Sequence, residues 1–491
     1  MIISIAFMKP NVPTTENSDD PGGKPIGDLA VYIFNAVEDE WSFISSVSHD
    51  KVRLEYIEDA ESATDCFFLA QATESNFCYI SPKDISPEYI RYAQNLMKFK
   101  DGEVIVPQMR SHLICEDLVR DAKAFMMLVS KAKGYKRIVL TAYATTPNLY
   151  ILKAKLEEVG LTVYLPESPD IDSAWTVNFF GSKSGIRQLA QMSQIKEPDF
   201  IMPDGLICVG RFDAAKIAAH RYQKNHGVVI KTNKGSGGAG VLIFREGELP
   251  ANYQACELAI LKAMNSDRYW DEYPIIIEDL VNINYAFAGG FPNVEFKISK
   301  SGRIDMLYVC ACKVTPKGRF YGLDISNDII NDRQQTTMED MGYFIAEQYA
   351  AAGYRGHFDV DMIAAKNGKL YVCESNTRNT GGTDTFKIVE KLIGPDFMDD
   401  AYTVSRSLHD WLIPHKYTFT DIAGNVEPIA YSPRTKEGVI INSSNSLDDG
   451  KIIYTIIAKN KRRAYELNIL FKHLLETNCQ LSPKRAAGET D

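Results

Sequence analysis

The sequence predicts a mixed α/β chain with more antiparallel pairing in its second half, an α/β (α+β) protein, and three observations predict it. Between Ala30 and Val163, strand-like and helix-like patterns alternate as they do in an open layered sheet. A glycine-rich segment, Gly235 to Gly240, separates two short β-patterned runs, Gly227 to Asn233 and Val241 to Phe244. Farther on, Gly356 to Ile363 and Leu370 to Cys373 flank Lys366-Asn367-Gly368-Lys369, which reads as a hairpin turn. At 491 residues, 45% of them hydrophobic, the chain has length for about three units. These are expected at 1–180, an open α/β domain, 181–413, the domain carrying the site, and 414–491, a small α/β domain.

In order along the chain, Asn11 to Lys24 is rich in Pro, Gly, Ser, Asn and Asp and reads as a loop. Glu116 to Lys131 is helix-like, Arg137 to Leu140 a short buried strand, and Pro147 to Val159 a helix with Pro in its first turn and Gly160 past its end. Leu161 to Tyr164 is a strand, and the two prolines and three acids of Pro166 to Asp172 mark a boundary. Ser182 can cap a helix that opens at Lys183. Asn252 to Met264 is helical, Pro274 to Val281 a buried strand, and Val294 to Ile298 pairs with Arg303 to Val314 through Ser299-Lys300-Ser301-Gly302. Thr336 to Ala352 is a helix stopped by Gly353, with Met338, Met341, Ile345 and Ala346 on its apolar side. In the last unit Gly438 to Ile441 and Lys451 to Ala458 read as strands, Arg462 to Glu476 as a helix, and Ser482 to Asp491 as a frayed polar end.

The chemistry concentrates on the hairpin near Tyr354 to Thr383. Side chains alternate along a strand, so Asp359 and Asp361 share one face, and Glu374 and Asn376 share one face. Paired through that turn, Asp361, Glu374 and Asn376 converge as hard oxygen ligands, the kind magnesium takes when substrate phosphates also hold it. Arg378 stands beside them as a planar cation. The plainer reading is a sheet with solvated acids on its outer face.

The glycine loop fits G-x-G-x-x-G, but a dinucleotide fold or a P-loop needs a helix directly after it, and Val241-Leu242 begins a strand. A kinase loop is followed by its lysine, and no His-Arg-Asp or Asp-Phe-Gly occurs in the chain. What survives is a mobile glycine hairpin whose backbone N–H groups at Gly235, Ser236, Gly237, Gly238 and Gly240 can close over phosphates, with Lys231 on the leading strand. A hairpin without a ligand is the alternative. Lys183 at a helix start opposes the helix dipole, which makes it either an anion contact or a solvated lysine. Glu278, Asp279 and Leu280 end a buried strand where backbone groups could read an adenine edge. Lys313, after an apolar run, either snorkels from the sheet edge or reaches a phosphate.

The net charge of -10 argues against nucleic acid held by a general basic field. Nine cysteines, mostly within apolar runs, suit reduced buried thiols and a cytoplasmic location, and Cys310 and Cys312, two apart on a strand, favour neither a zinc site nor a redox pair. No basic leader and no apolar run of about 20 residues occurs, so neither secretion nor membrane insertion is expected.

Together these pieces resemble the ATP-grasp superfamily. The resemblance is carried by Val229-Ile230-Lys231 before Gly235 to Gly240, Ile276-Ile277-Glu278 before Leu280, Phe358-Asp359-Val360-Asp361, and Glu374-Ser375-Asn376-Thr377-Arg378. Gly181-Ser182-Lys183 is similar to the lysine-bearing helix start of carboxylase-type members. The resemblance spans 181–394, and the region before it is similar to a pre-ATP-grasp domain. Glu374 to Gly382 and the small C-terminal unit look most like the pheganomycin-type peptide ligases. Where many members have Glu, this chain has Asp359 and Asp361, of which Asp361 stands nearer their spacing.

The resemblance implies an ATP-dependent ligase that forms an amide or peptide bond through an acyl phosphate, with ATP and magnesium, or manganese in its place. It implies Asp361, Glu374 and Asn376 for the metal, Lys183 and Lys231 for the phosphates, and Arg378, Lys231 and Lys313 for catalysis. The substrates would be small-molecule or peptide acids and amines; a homo-oligomer is compatible with the sequence. A small-molecule phosphotransferase and a non-catalytic ATP-binding regulator are the alternatives.

Overall fold

Parallel strands joined by helical crossovers build the first layer. In a computed structural model of the protein, which describes residues 26–235, 238–316, 318–330 and 332–483, five strands are ordered Asp101–Ile105, Asn76–Ile80, Ile26–Ile33, Tyr135–Ala142 and Val163–Tyr164. All are parallel, with helices such as Pro87–Met97 and Pro147–Glu158 as crossovers. The chain leaves Ile26–Ile33 on one side toward Asn76–Ile80 and later returns on the other with Tyr135–Ala142. Such a reversal leaves a crevice beyond the carboxyl ends of the strands.

Pro147–Glu158 begins and ends as its sequence predicts: the Thr146 hydroxyl accepts from the Leu149 amide, Pro147 opens the helix, and Gly160 follows at φ +87°. The expected single helix from Glu116 to Lys131 is instead two, Ile114–Arg120 and Ala122–Ala132. Asp121 breaks it, because its carboxylate accepts from the amides of Lys123 and Ala124 and starts a new helix. The predicted loop at Asn11 to Lys24 and most of the predicted frayed end lie outside the described residues.

The second layer is a four-stranded antiparallel sheet ordered Gly205–Cys208, Ile275–Asp279, Gly227–Thr232 and Val241–Arg245. Helices Arg211–Asn225 and Tyr253–Met264 cover one face, where Ala214, Ala218, Ile260 and Met264 meet Val228, Ile230 and Ile277. Alternation along Gly227–Thr232 then turns Val229 and Lys231 to the other face.

The third is an eight-stranded sheet, Leu370–Asn376, Gly356–Ala364, Pro292–Ile298, Ile304–Val314, Phe320–Ile325, Tyr402–Leu408, Ile452–Ala458 and Gly438–Ile441. Every pairing in it is antiparallel. Helix Asp332–Ala351 buries Met338, Met341, Ile345 and Ala346 against Val294, Phe296 and Phe358, the apolar side its spacing predicts. The last three strands extend this sheet and form none of their own, and helix Lys461–Asn478 packs on them. Among the described residues, no helix is long and apolar enough to cross a membrane.

Candidate active site

One face of the four-stranded sheet, one face of the eight-stranded sheet and the switch point of the parallel sheet enclose a cavity of about 650 Å³. On the large sheet the predicted hairpin forms with Asp361 opposite Glu374 and Asp359 opposite Asn376. Asp361, Glu374 and Asn376 all line the cavity. The Asn376 side-chain amide donates to Asp359 Oδ1 at 3.0 Å and Asp361 Oδ2 at 3.1 Å, and Asn293 donates to Asp361 Oδ1 at 2.8 Å. Two carboxylates and an amide are thus brought together, while among the described residues no group of three or more His, Cys, Asp or Glu is placed to hold a metal ion.

Burial, then the nearby Glu374 charge, pushes the Asp361 carboxyl up to about 6, and burial with the Asp361 charge raises Asp359 well above its ordinary range. Glu374 is held low instead, because Lys183 donates to it at 2.8 Å.

The cations face this acid cluster. Lys231 is 6% exposed and bridges Glu278 Oε2 at 2.7 Å and Cys373 Sγ at 3.3 Å. Burial disfavours its charge, but Cys373 and Glu278 outweigh this and hold the ammonium above its ordinary range. Glu278 is shared with the buried Arg187 guanidinium. Arg378 reaches the parallel sheet: it lies 3.3 Å from Asp39 and 3.4 Å from Glu40, and donates to the Tyr143 hydroxyl at 3.0 Å. The Asn379 amide nitrogen donates to the Tyr143 carbonyl at 2.9 Å, which docks the loop after Asn376 on the carboxyl end of Tyr135–Ala142.

Of the glycine turn, Gly235, Gly238 and Ala239 line the cavity. Gly238 and Gly240 take φ values of +89° and +76°, and a Cβ on Gly238 would come within 3.1 Å of the Gly318 carbonyl. Arg245 donates to the Pro316 carbonyl at 2.7 Å, which ties this edge to the turn between Ile304–Val314 and Phe320–Ile325. Gly235 lines the cavity near Lys183, whereas Ser236 and Gly237 lie outside the described residues.

Glu278 and Asp279 are paired on both sides within the sheet; the Asp279 amide is bonded to the Asp204 carbonyl and its carboxylate to Arg221 and Asn225. Leu280 and Val281 follow the end of the strand, and all four residues from Glu278 to Val281 line the cavity. Lys313 stands apart and corrects its reading as a phosphate contact. Cys310 and Cys312 line the cavity, so alternation sends Lys313 to the opposite face, where its ammonium meets Asp324 at 3.1 Å beside Arg406.

Sequence reasoning missed Lys234, Asn293, Asp39, Glu40 and Tyr143, all of which line the cavity. Lys234 donates to Asn178, and burial followed by the charges of Lys183 and Arg378 pulls its ammonium below the ordinary range. Its place directly before Gly235 was the available signal. Asp39, Glu40 and Tyr143 carry none, since they join Arg378 from more than 230 residues away.

This is the ATP-grasp fold: an open parallel sheet, a small antiparallel lid sheet and a large antiparallel platform closing on one cavity. Similar solved structures include an ADP complex of the N5-carboxyaminoimidazole ribonucleotide synthetase purK, with a TM-score of 0.54 at 12% identity over 92% of this chain and 97% of that one. Biotin carboxylase from Campylobacter jejuni, solved as a β-γ-ATP complex, gives 0.54 at 12% identity over 94% and 97%. The Thermus thermophilus N5-carboxyaminoimidazole ribonucleotide synthetase gives 0.51 at 12% identity over 92% and 99%. Residues 426–468 match the model of the PGM1 C-terminal domain. No curated protein matches the sequence.

Proposed function

We propose that the protein is an ATP-dependent ligase that joins a carboxylate to an amine through an acyl phosphate and releases ADP and phosphate. The observation that carries this reading is the single cavity in which Lys183, Lys231, Lys234 and Arg378 face Asp361, Glu374 and Asn376 beneath a glycine turn. A pure nucleotide binder has little use for that whole set. Two of the neighbours named above, solved as an ADP complex and a β-γ-ATP complex, support the same reading. The PGM1 match falls in the C-terminal region that, with Glu374 to Gly382, supports a peptide ligase of the pheganomycin type.

The acid cluster fits a divalent cation: Asp359 is buried and Asp361 half-buried, each against like charge, and their hard oxygens suit magnesium or manganese. Asp361, Glu374 and Asn376 would hold that ion, which supplies positive charge to phosphate oxygens when bound. The cradle fits a triphosphate, since Gly238 and Gly240 adopt the left-handed φ values from which consecutive backbone N–H groups can gather around an anion.

A carboxylate is a poor electrophile, so it must first accept the γ-phosphoryl group of ATP. Lys183, Lys231 and Lys234 gather and neutralise the phosphates, and Arg378 stabilises charge on the group in flight. Leu280 and Val281 offer backbone groups to the base. The lid contacts at Gly318 and Pro316 exclude water that would hydrolyse the acyl phosphate. An amine held beside it then attacks, at an effective molarity that reaches about 10⁵ M or more for well-placed groups.

The test is phosphate release from ATP across pools of amino acids, short peptides and other acids and amines, with mass spectrometry of the products. Release that needs both an acid and an amine, with an amide product, is expected. A phosphate ester without free phosphate would instead make the protein a phosphotransferase, and tight ATP binding without turnover on any pool would make it a regulator.

A further inference from the structure

The core of the lid does not end at the lid. Its helices and strands pack in one continuous apolar cluster with Val37, Phe43, Ile44, Val47 and Ile57, which belong to helices Ala36–Ile44 and Asp50–Glu61 of the first domain and the turn between them. The core of the parallel sheet, built around Val31, Ile80 and Leu140, is a separate cluster that includes none of these five. At the junction the Phe43 ring lies 5.0 Å from that of the lid's Tyr269, and a Cβ on Gly240 would stand 3.3 Å from Phe43. Phe43 and the lid's Trp270 are each only 1% exposed.

Hydrogen bonds cross the same seam. The Tyr273 hydroxyl donates to the Ser42 carbonyl at 2.6 Å, and the Arg268 guanidinium to the Ser45 carbonyl at 3.1 Å. The Ser48 amide donates to the Asp267 carboxylate at 3.2 Å, while the Arg268 amide donates to the Ser48 hydroxyl at 3.1 Å.

The first domain holds its side of the seam still. The Asn35 side chain donates to the Ala144 carbonyl at 2.9 Å and accepts from the Ala144 amide at 3.0 Å. Glu38, buried in the first turn of the helix, accepts from the Cys115 amide at 2.9 Å and from the Thr146 hydroxyl. Asp59 on the second helix meets Lys451 at 2.9 Å. Asp39 and Glu40, between the anchors and the seam, line the cavity and meet Arg378. Domains that move freely against each other meet through polar, loosely packed faces. Here each parting would bare Phe43, Tyr269 and their neighbours to water.

We propose that helices Ala36–Ile44 and Asp50–Glu61 form a fixed seat that latches the lid through Phe43 and Tyr269, and that nucleotide enters and leaves only when this seam parts. The latch asks only that nucleotide binds, so ligase turnover can fail without touching it.

Arg268, Tyr269 and Tyr273 do not line the cavity, so replacing them leaves the contacts of the nucleotide in place. Arg268→Ala with Tyr273→Phe removes two of the crossing bonds, and Tyr269→Leu thins the apolar seam. Stopped-flow mixing with a fluorescent ADP analogue and magnesium should show association and dissociation both about five- to tenfold faster in each variant, with Kd moved less than about threefold. A seam that must part first slows entry and exit alike. Weaker binding with unchanged association, or an analogue that does not bind, overturns the gating. Hydrogen exchange read by mass spectrometry on the nucleotide-free protein tests the seam without a ligand, since the Ser48 and Arg268 amides cross it. Peptides carrying them should be protected in the unaltered protein and exchange about five- to tenfold faster in both variants, while Ile275–Asp279 keeps its rate. Amides unprotected in the unaltered protein would mean that the lid stands off its seat, and loosening of Ile275–Asp279 in step with them that the lid unfolds instead of parting. Either result overturns the proposal.

Discussion

Lys231→Met separates the structural burden of that lysine from its chemistry. Its ammonium is 2.7 Å from Glu278, which is 2% exposed and paired on its other side with the buried Arg187. Removing one partner of a buried ion pair typically costs about 3–5 kcal/mol, because the remaining charge has lost its counterion. Arg187 stays in place, so the lower end, about 3 kcal/mol, is expected here. Glu278 lies in the central strand pair of the lid sheet, so the loss should appear first as local opening of Ile275–Asp279. Hydrogen exchange read by mass spectrometry on that strand should then run about a hundredfold faster than in the unaltered protein. Pairing Lys231→Met with Glu278→Gln removes the stranded carboxylate and leaves only Arg187 without its partner, so the double variant should lose at least about 1 kcal/mol less than the two single losses added. Unchanged exchange in the single variant, or strict additivity in the pair, would refute the coupling.

Arg378→Ala should lower kcat by about 10² to 10³ while moving the KM for ATP less than about threefold, and equal losses in both would contradict a role confined to the transition state. Gly382→Ala places a Cβ 2.1 Å from the Tyr308 hydroxyl, which is bonded to the buried Glu295, so thermal melting should show a loss of about 1–3 kcal/mol that Tyr308→Phe partly relieves. Asp384 is buried and its carboxyl is raised to about 7 from an ordinary 3.8. The folded chain therefore holds that proton more tightly than the unfolded one, and stability should fall as pH rises from about 4 through 7, by at most about 4 kcal/mol. Asp384→Asn should bring the melting points at pH 5 and pH 8 closer together, and an unaltered slope would count against the assignment.

How legible the site was depended on sequence distance. The acidic hairpin could be read because turn, strand alternation and ligand types all fall within Gly356 to Asn376, and the structure pairs them as expected. Lys183 was recognisable from its conflict with the helix dipole, which Glu374 resolves. Lys313 was misread because alternation shows that neighbours diverge but not which of them faces the cavity; Cys312 does. Asp121 carried a capping signal that a continuous helical pattern masked. Asp39, Glu40 and Tyr143 join the site only when the parallel sheet docks on the loop at Asn379, a meeting that no local pattern encodes.

The platform's strand order bears on how the protein is made. Phe320–Ile325 has Tyr402–Leu408 as its outer neighbour, which in turn needs Ile452–Ala458. The parallel sheet is fastened to the same late segment, since the Tyr89 hydroxyl donates to the Asn442 carbonyl and Asp65 accepts from the amides of Ser444 and Asn445. A nascent chain that has emerged only as far as Pro414 can shape its first domain and its lid, but its platform still ends in a naked strand edge able to pair with another copy. The platform is therefore complete only once Ile452–Ala458 has paired, and until then the open edge of Tyr402–Leu408 is exposed to pairing with another copy.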